Sequence, residues 1–308
     1  MTSFKMNVDA ERASEVLRKE FDPSVHNVAQ IEMGELSRVF AFTVSGQDYI
    51  AHFRDSRDSM DKASYLYQTY GSLLPIPRVV KIGGGEGLFY SISERAAGKP
   101  ISAFDAAEQE GIAADLARHF AVMGQIEVGA GQGFGWIAPD GTAAGDSWRE
   151  TLGSVFKEDQ EGFYAGWTEL YTDSFLDKSL FQEGVAAVLE LTRYAPTVPQ
   201  LVHGDFHLGN MLSDGSRVTG IVDWEMAMYG DFMFDLAGLH VWTPQLDFPG
   251  KVRREWLALG TDIPFFDERL RCYQLYKTVD GLRFYAKQGI KPAYDYIRAK
   301  VTALLDER

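Results

Sequence analysis

The feature that most limits how this chain can fold lies between residues 201 and 223, where a polar segment runs into a short β-hairpin. The segment LVHGDFHLGNML sets His203, Asp205, His207 and Asn210 between two apolar ends. The overlapping stretch NMLSDGSRVTGIVDW has two short apolar runs around a Ser-Asp-Gly-Ser turn, which is typical of a β-hairpin. The patterns on both sides are helical, so the fold must place one hairpin among helices.

Hydrophobic periodicity divides the rest of the chain into two parts. Before about residue 95 the apolar residues mostly alternate as in strands, with helices predicted only over 9–21 and 58–70. Beyond residue 102 they recur at helical spacing, and helices are predicted near 150–172, 179–194, 251–259, 266–288 and 291–305. We therefore predict an α+β fold with two lobes. Residues 1–95 form an N-terminal antiparallel sheet with one inserted helix, and residues 96–308 form a larger, mainly helical C-terminal lobe that carries the hairpin.

Composition and charge narrow the possible functions. The chain has no run of eighteen apolar residues, and its N-terminus turns charged before a signal-peptide core could form, so we expect a cytoplasmic protein without a membrane segment. The formal net charge of −14 disfavours a nucleic-acid partner and favours a cationic small molecule. The single cysteine, Cys272, allows neither an internal disulfide nor a cysteine-rich zinc site. We expect a monomer.

The hairpin predicts a magnesium site. With a connection over residues 214–219, Met211 would lie opposite Val222, and Asn210 would approach Asp223. Carboxylate and amide oxygens suit Mg²⁺, which usually shares one or two protein ligands with nucleotide phosphates. Asp205, five residues before Asn210, lies in the loop that enters the same corner and can accept a proton.

This spacing is that of phosphoryl-transfer enzymes of the protein-kinase type. Residues 203–210, HGDFHLGN, match the motif H-G-D-x-x-x-x-N, and residues 221–237, IVDWEMAMYGDFMFDLA, match a second motif, so the sequence resembles the aminoglycoside phosphotransferase family. The resemblance implies a kinase-like fold that binds ATP (or GTP) and Mg²⁺. It also implies transfer of the γ-phosphate to a hydroxyl of an aminoglycoside of the hygromycin B type, with antibiotic resistance as the result. Asp205 would orient and deprotonate the hydroxyl, and Asn210 and Asp223 would hold the metal.

The same resemblance assigns residues to the nucleotide. The turn over residues 34–38 would cover the phosphates, with Ser37 in contact with them. The stretch over residues 93–96 resembles the hinge between the lobes, where the backbone near Ser93 and Arg95 would face adenine.

The lysine that kinases carry on the third strand is missing from this chain. His52 aligns with it, and Arg54 is the next residue on the same strand face, so either residue can replace the lysine. Histidine is the poorer cation at neutral pH. Asp61 on the helix over 58–70 is the candidate acidic partner.

A polycation rich in hydroxyls needs carboxylates and flat apolar surfaces around it. We predict that Glu225 binds an ammonium, that Trp242 contributes a surface, and that Asp235 either faces the substrate or caps a helix. Acidic and aromatic residues over 157–175 are further candidates. His203 and Asp231 are predicted to brace the catalytic loop.

Other interpretations remain at this stage. His203 and His207 have the spacing of a zinc helix, but Gly204 and Gly209 disfavour a helix, and H-E-x-x-H is absent. A serine hydrolase would need a G-x-S-x-G elbow, which the sequence lacks. The acceptor could instead be a macrolide, a peptide antibiotic, a sugar or a metabolite. The missing lysine also leaves open a pseudokinase that binds nucleotide without turnover.

Overall fold

The computed structural model describes residues 8–31, 37–85, 87–129 and 131–307. They form two compact units, and each unit is assembled from separate parts of the chain. Unit 1 holds the described residues up to Phe104 together with Ile137–Thr142 and Gly209–Glu225. Unit 2 holds Asp105–Trp136, Ala143–Leu208 and the described residues from Met226 onward. We predicted a single division after residue 95 with the hairpin in the C-terminal lobe, whereas the hairpin groups with unit 1.

The strands are short and confined to defined parts of the chain. They are β1 (His26–Ile31), β2 (Arg38–Val44), β3 (Gln47–Arg54), β4 (Val79–Gly85), β5 (Leu88–Glu94), β6 (Lys99–Pro100), β7 (Gly135–Trp136), β8 (Gln200–Val202), β9 (Met211–Ser213), β10 (Val218–Ile221) and β11 (Met228–Gly230). The α-helices are α1 (Ala10–Glu20), α2 (Asp58–Tyr70), α3 (Ala106–Gly124), α4 (Trp148–Ser154), α5 (Leu170–Asp173), α6 (Lys178–Leu191), α7 (Met233–Trp242), α8 (Phe248–Ala258), α9 (Phe266–Gln288) and α10 (Lys291–Asp306). The predicted α+β fold, with an antiparallel N-terminal sheet and a helical remainder, is confirmed.

Unit 1 is built on a five-stranded antiparallel sheet in the order β1-β2-β3-β5-β4. The turn between β2 and β3 consists of Ser45 and Gly46, both at positive φ (51° and 81°), which is the backbone of a tight two-residue hairpin. Phe40, Phe42 and Phe53 are buried beneath α1, and each such ring contributes about 1.5–3 kcal/mol through its burial. This core holds β3 in a fixed register, and β3 carries His52 and Arg54.

The hairpin of β9 and β10 joins β6 in a second, three-stranded sheet of unit 1. Met211 lies opposite Ile221, not opposite Val222 as predicted, because the turn is shorter than expected and the register shifts between Val218 and Gly220. Asp214 closes the turn by accepting hydrogen bonds from the backbone of Ser216 and Arg217. These bonds hold the pKa of the Asp214 carboxyl well below its usual range.

Unit 2 consists mainly of helices packed around α9, whose neighbours are α6, α7 and α10. A small sheet in the order β7-β11-β8 also belongs to this unit. We did not predict these strands, because two or three residues are too few to show a period. Helix α3 begins with a capping box between Asp105 and Glu108, and it packs against α8. Within the described part of the chain, no helix combines the length and the hydrophobicity that crossing a bilayer requires.

One predicted helix is wrong. The stretch over 150–172 was expected to be continuous, but it forms the short helix α4, two single turns of 3-10 helix at Gly162–Tyr164 and Trp167–Glu169, and then α5. Gly162 and Gly166 adopt positive φ values of 60° and 65°, which interrupt an α-helix. The other predicted helices agree with α1, α2, α6, α8, α9 and α10 to within a few residues.

Candidate active site

The loop after β8 carries the HGD motif and is held from behind by a buried carboxyl group. His203 N–H donates to Asp235 Oδ2 at 2.6 Å, and Gly204 N–H donates to Asp235 Oδ1 at 3.0 Å. Asp235 lies in the first turn of α7 and is 1% exposed. Burial raises its pKa to about 7, against the opposing influence of the Lys277 charge and of the two backbone bonds. Both oxygens of Asp235 hold the loop backbone in this structure, and a contact of this residue with the substrate stays a prediction.

Gly204 turns the chain so that the next residue can point outward. Its φ is 86°, and a Cβ at this position would lie 1.9 Å from the carbonyl oxygen of Met226. Any side chain would therefore clash with the backbone as well as strain the dihedral angle. The glycine of the motif is required by the path of the loop.

Asp205 presents a carboxylate to solvent. Its side chain is 50% exposed, and Oδ2 lies 3.5 Å from His207 Nε2. The hydrogen bond to His207 is the main cause of a lowered pKa, and the charges of His207, His203 and Lys277 act in the same direction, while partial burial opposes them. Asp205 N–H also donates to Nδ1 of the fully buried His203 at 3.3 Å. The carboxyl is ionised at neutral pH and its backbone is anchored.

Lys277 is a residue of this region that the sequence analysis missed. It projects from α9, and its Nζ lies 3.7 Å from the centre of the Phe234 ring. Burial lowers its pKa, while the nearby carboxyl groups of Asp235, Asp205 and Asp280 raise it. Its charge therefore acts on both the catalytic loop and the carboxyl that holds the loop. The available signal was a lysine in the middle of an apolar-periodic helix.

Asp231 has a different role from the predicted one. It is fully buried, and it accepts hydrogen bonds from Arg269 Nη2 at 2.6 Å, from Tyr273 Oη at 2.6 Å and from the backbone of Met233 at 3.0 Å. These contacts tie the start of α7 to α9. The brace on the catalytic loop that we expected from Asp231 is provided by Asp235, four residues later.

The end of the hairpin in unit 1 carries the two candidate metal ligands. Val222 N–H donates to Asn210 O at 2.9 Å, so the chain just beyond β10 pairs with the residue just before β9. Asn210 is 7% exposed, whereas Asp223 is exposed and adopts a positive φ of 63°. Aspartate is one of the few residues that tolerate this conformation. An amide and a carboxylate at one end of a hairpin offer the hard oxygen donors that Mg²⁺ prefers.

The zinc interpretation gains no support from the residues that are described. Among them, no group of three or more His, Cys, Asp or Glu side chains is arranged to hold a metal ion. Cys272 is buried, and burial raises the pKa of its thiol.

Glu225 takes part in an ion pair within unit 1. Arg54 Nη1 and Nη2 each donate to one of its carboxylate oxygens at 3.0 Å, and Arg54 Nη1 also donates to Ser59 Oγ at 2.7 Å. Lys62 of α2 is 7% exposed, and its Nζ donates to the backbone oxygen of Glu225 at 2.8 Å. Burial lowers the pKa of Lys62 to about 8, although the Glu225 carboxylate opposes this. Both carboxylate oxygens of Glu225 accept from Arg54 in this structure, and binding of a substrate ammonium by this residue stays a prediction.

Lys62 was also missed by the sequence analysis, which chose the neighbouring Asp61 as the acidic partner on this helix. Asp61 instead pairs with Arg57 one turn away at 2.9 Å. Lys62, Leu66 and Tyr70 are all buried and lie four residues apart, so the period of α2 placed the lysine on its buried face.

The remaining residues assigned to the nucleotide lie in or near the main sheet. His52 sits on β3 opposite Val39 and Ser91, and burial, followed by the charge of Arg54, lowers its pKa to about 4, so it is neutral at pH 7. Ser37 is partly buried, whereas residues 34–36 of the predicted phosphate turn lie outside the described part of the chain.

The predicted hinge begins at the end of β5. Ser93 pairs with Ile50 of β3 and with Val79 of β4, and Arg95 N–H donates to Asp48 O at 3.1 Å. The amide of Arg95 is therefore already hydrogen-bonded within the protein.

The predicted aromatic surfaces differ in exposure. Trp242 is 48% exposed and lies against Tyr296, at 6.3 Å between ring centres and 27° between planes. In the 157–175 stretch, Trp167 is 2% exposed, and the buried guanidinium of Arg283 lies 3.6 Å from the Tyr164 ring. The Arg283 guanidinium also lies 5.0 Å from the Trp167 ring, so both rings pack against an internal cation.

The two units contain the elements of a kinase-like phosphotransferase. Unit 1 has the antiparallel sheet with its helix, and unit 2 has the HGD loop. A family model described as "Phosphotransferase enzyme family" matches residues 27–269. This chain belongs to that family and is an enzyme that transfers phosphate to an alcohol group.

Named relatives agree with the family. The chain is 30% identical over 283 residues to hygromycin-B 4-O-kinase of Escherichia coli. This alignment covers 90% of this chain and 80% of the relative. The crystal structure of aminoglycoside phosphotransferase APH(4)-Ia matches with a TM-score of 0.78 and 25% identity, over 96% of this chain and 98% of the other. A thermostable mutant of the same enzyme, in a ternary complex with AMP-PNP and hygromycin B, matches with a TM-score of 0.76 and 25% identity, over 95% of this chain and 97% of the other.

Proposed function

We propose that this protein is an ATP-dependent, Mg²⁺-requiring O-phosphotransferase that modifies a hydroxyl of an aminoglycoside of the hygromycin B type and so confers resistance to it. The observation that carries the proposal is the 30% identity with hygromycin-B 4-O-kinase over 90% of the chain. The HGD motif and the hairpin ligands lie within the aligned family region. The antibiotic-bound state of the structural relative supports the same substrate class.

In the proposed reaction, the acceptor hydroxyl forms a bond to the γ-phosphorus while the bond from that phosphorus to the bridging oxygen of ADP breaks. Asp205 orients the hydroxyl and accepts its proton. Its lowered pKa makes it a weak base, which suits a transfer whose transition state needs positioning more than proton removal. His203 and Asp235 hold its backbone in place.

Asn210 and Asp223 are the residues that would hold Mg²⁺. The fit rests on their donor chemistry and on the tolerance of aspartate for the left-handed backbone at position 223. When bound, the ion would neutralise charge on the nucleotide phosphates. Ser37 and the backbone near Ser93 and Arg95 remain the proposed nucleotide contacts, and Trp242 a proposed substrate contact.

The test is transfer of ³²P from [γ-³²P]ATP to hygromycin B by the purified protein, combined with growth of expressing cells on the antibiotic. Asp205→Asn should lower kcat by about a hundredfold or more, because it removes the carboxylate that orients the hydroxyl and accepts its proton. Asp306→Asn, at the exposed end of α10, is the matched control and should leave kcat unchanged. Absence of labelled hygromycin B and of protection would overturn the substrate assignment. An unchanged rate in Asp205→Asn would overturn the role of that residue.

A further inference from the structure

Two cations from different elements of unit 1 meet at one residue. Arg54, at the end of β3, binds the Glu225 carboxylate through two hydrogen bonds, and Lys62, in the first half of α2, binds the Glu225 carbonyl oxygen. Ser59, at the start of α2, accepts a further hydrogen bond from Arg54. The end of the strand, the helix and the segment after β10 are thus joined by polar contacts of 2.7–3.0 Å.

Kinases place a lysine on the third strand, where it binds the nucleotide phosphates, and a glutamate on the neighbouring helix forms an ion pair with that lysine. This chain has the opposite arrangement. The helix supplies a cation, Lys62, and the carboxylate comes from Glu225 beyond the hairpin. On the strand itself, His52 is neutral at pH 7 and Arg54 is bound to Glu225. The strand therefore carries no positive charge at His52, and the charge of Arg54 is paired with a carboxylate.

We infer that Lys62 of α2 is the phosphate-binding ammonium of this enzyme and that the ion pair of Arg54 with Glu225 is its positioning device. The inference rests on the proposed ATP-dependent function. It assigns to the helix a role that the resemblance placed on His52 or Arg54, and it assigns to Glu225 an internal role in place of substrate binding.

The place of Lys62 follows from the chain path after β10. Glu225 is two residues beyond Asp223, so their Cα atoms are separated by at most about 7 Å. Lys62 Nζ lies 2.8 Å from the Glu225 carbonyl oxygen. The ammonium is therefore close to the residue that would hold the metal on the phosphates.

The burial of Lys62 points to a function for its charge. An ammonium with 7% exposure has lost most of its hydration, and such a charge is kept only where partners or ligands compensate the loss. The partners of Lys62 within the protein include the Glu225 carbonyl oxygen and the nearby carboxylate of the same residue. Phosphate oxygens are strong acceptors for an ammonium group.

The inference is tested by comparing how variants bind ATP with how they bind adenosine, which has no phosphate. Calorimetric titration of the full chain gives both affinities without any acceptor substrate. Lys62→Met should weaken ATP binding by about tenfold or more, because it removes a charge-assisted hydrogen bond to phosphate, and should change adenosine binding by less than about twofold. Lys62→Arg, which keeps the charge, should recover part of the loss. Lys19→Met, an exposed lysine of α1 in the same unit, is the control and should bind both ligands like the wild type.

The positioning pair is tested by a double-mutant cycle. Arg54→Met and Glu225→Gln should each lower kcat/KM for ATP, and the double variant should be no worse than the more damaged single variant, because the two residues act as a unit. Thermal unfolding of each variant separates loss of fold from loss of function.

The outcomes distinguish this inference from the proposed function. If the wild type binds ATP and Lys62→Met loses ATP and adenosine affinity equally, or loses neither, the assignment of Lys62 is wrong while the phosphotransferase activity stands. Additive effects in the double-mutant cycle would overturn the role of the pair. If the wild type binds no ATP, the proposed function itself fails.

Discussion

A single glycine fixes the path of the loop that carries Asp205. Gly204 has a φ of 86° and passes so close to Met226 that a Cβ would lie 1.9 Å from its carbonyl oxygen. The same loop is bound through two amides to Asp235. The position of the proposed base is therefore set by backbone contacts that exclude any other residue at 204, and the exposed carboxylate of Asp205 is the part left to act on a substrate.

Gly204→Ala tests this directly. We expect a loss of about 2–4 kcal/mol in the free energy of unfolding, from the strained dihedral angle and the clash, together with loss of activity. Gly111→Ala is the control, because Gly111 lies within α3 with no atom within 4 Å of an added Cβ. It should be stabilising by about 0.5–1 kcal/mol. Denaturant unfolding of both variants measures the difference. Equal stability of the two would show that the loop can move away from Met226.

Among the elements, α9 connects the interior of unit 2 to the loop region. Arg269 and Tyr273 bind Asp231 near the start of α7, and Lys277, further along the same helix, lies over Phe234 with its charge near Asp235 and Asp205. A shift of this helix would therefore change the charge environment of the catalytic loop.

Arg269→Met should destabilise the protein by about 3–5 kcal/mol, because it leaves the fully buried Asp231 without its cation. Combining it with Asp231→Asn removes the orphaned charge and should recover part of that loss. Thermal or urea unfolding of the single and double variants gives both values. A double variant as unstable as the sum of the two single variants would argue that the residues are not coupled.

We predict that Lys62 of α2 makes kcat/KM for ATP depend on pH. Burial lowers the pKa of Lys62 to about 8, so the ammonium is charged at pH 7 and loses its proton as the pH rises through 8. The pH dependence of kcat/KM reflects the pKa values of groups in the free enzyme, so kcat/KM for ATP should fall above about pH 8. In Lys62→Arg this fall should disappear, because a guanidinium stays charged. A fall at the same pH in both proteins would assign it to another group.

For the whole molecule, the dominant property is a net charge of −14. A negative field attracts a polycationic acceptor over long distances and is screened by salt, with a Debye length of about 10 Å at 0.1 M. KM for hygromycin B should therefore rise several-fold between about 20 and 200 mM NaCl. The control is adenosine, a neutral ligand, whose affinity should change little over the same range. A KM that does not depend on salt would show that recognition of the antibiotic depends on short-range contacts alone.

The sequence was sufficient where the determining interactions are local. The hairpin of β9 and β10 and the helical period of α2 each depend on residues a few positions apart. The motif over residues 203–210 likewise depends only on spacing, and it pointed to the family that the comparisons show. The expected helix over 150–172 failed because glycines at positive φ interrupt the period.

Only the tertiary structure decided which charged side chains meet. Lys62 and Arg54 reach Glu225 across 163 and 171 residues, and Asp231 binds Arg269 across 38. From the sequence, Glu225 was expected to bind the substrate, Asp235 to face the substrate or cap a helix, and Asp231 to brace the loop. In the structure these three carboxyl groups bind Arg54, the backbone of the catalytic loop and Arg269, respectively. The sequence by itself determined the family and the local elements, because these depend on spacing. The roles of buried charges depend on which distant group compensates the loss of water. The spacing of residues along the chain does not show which group that is.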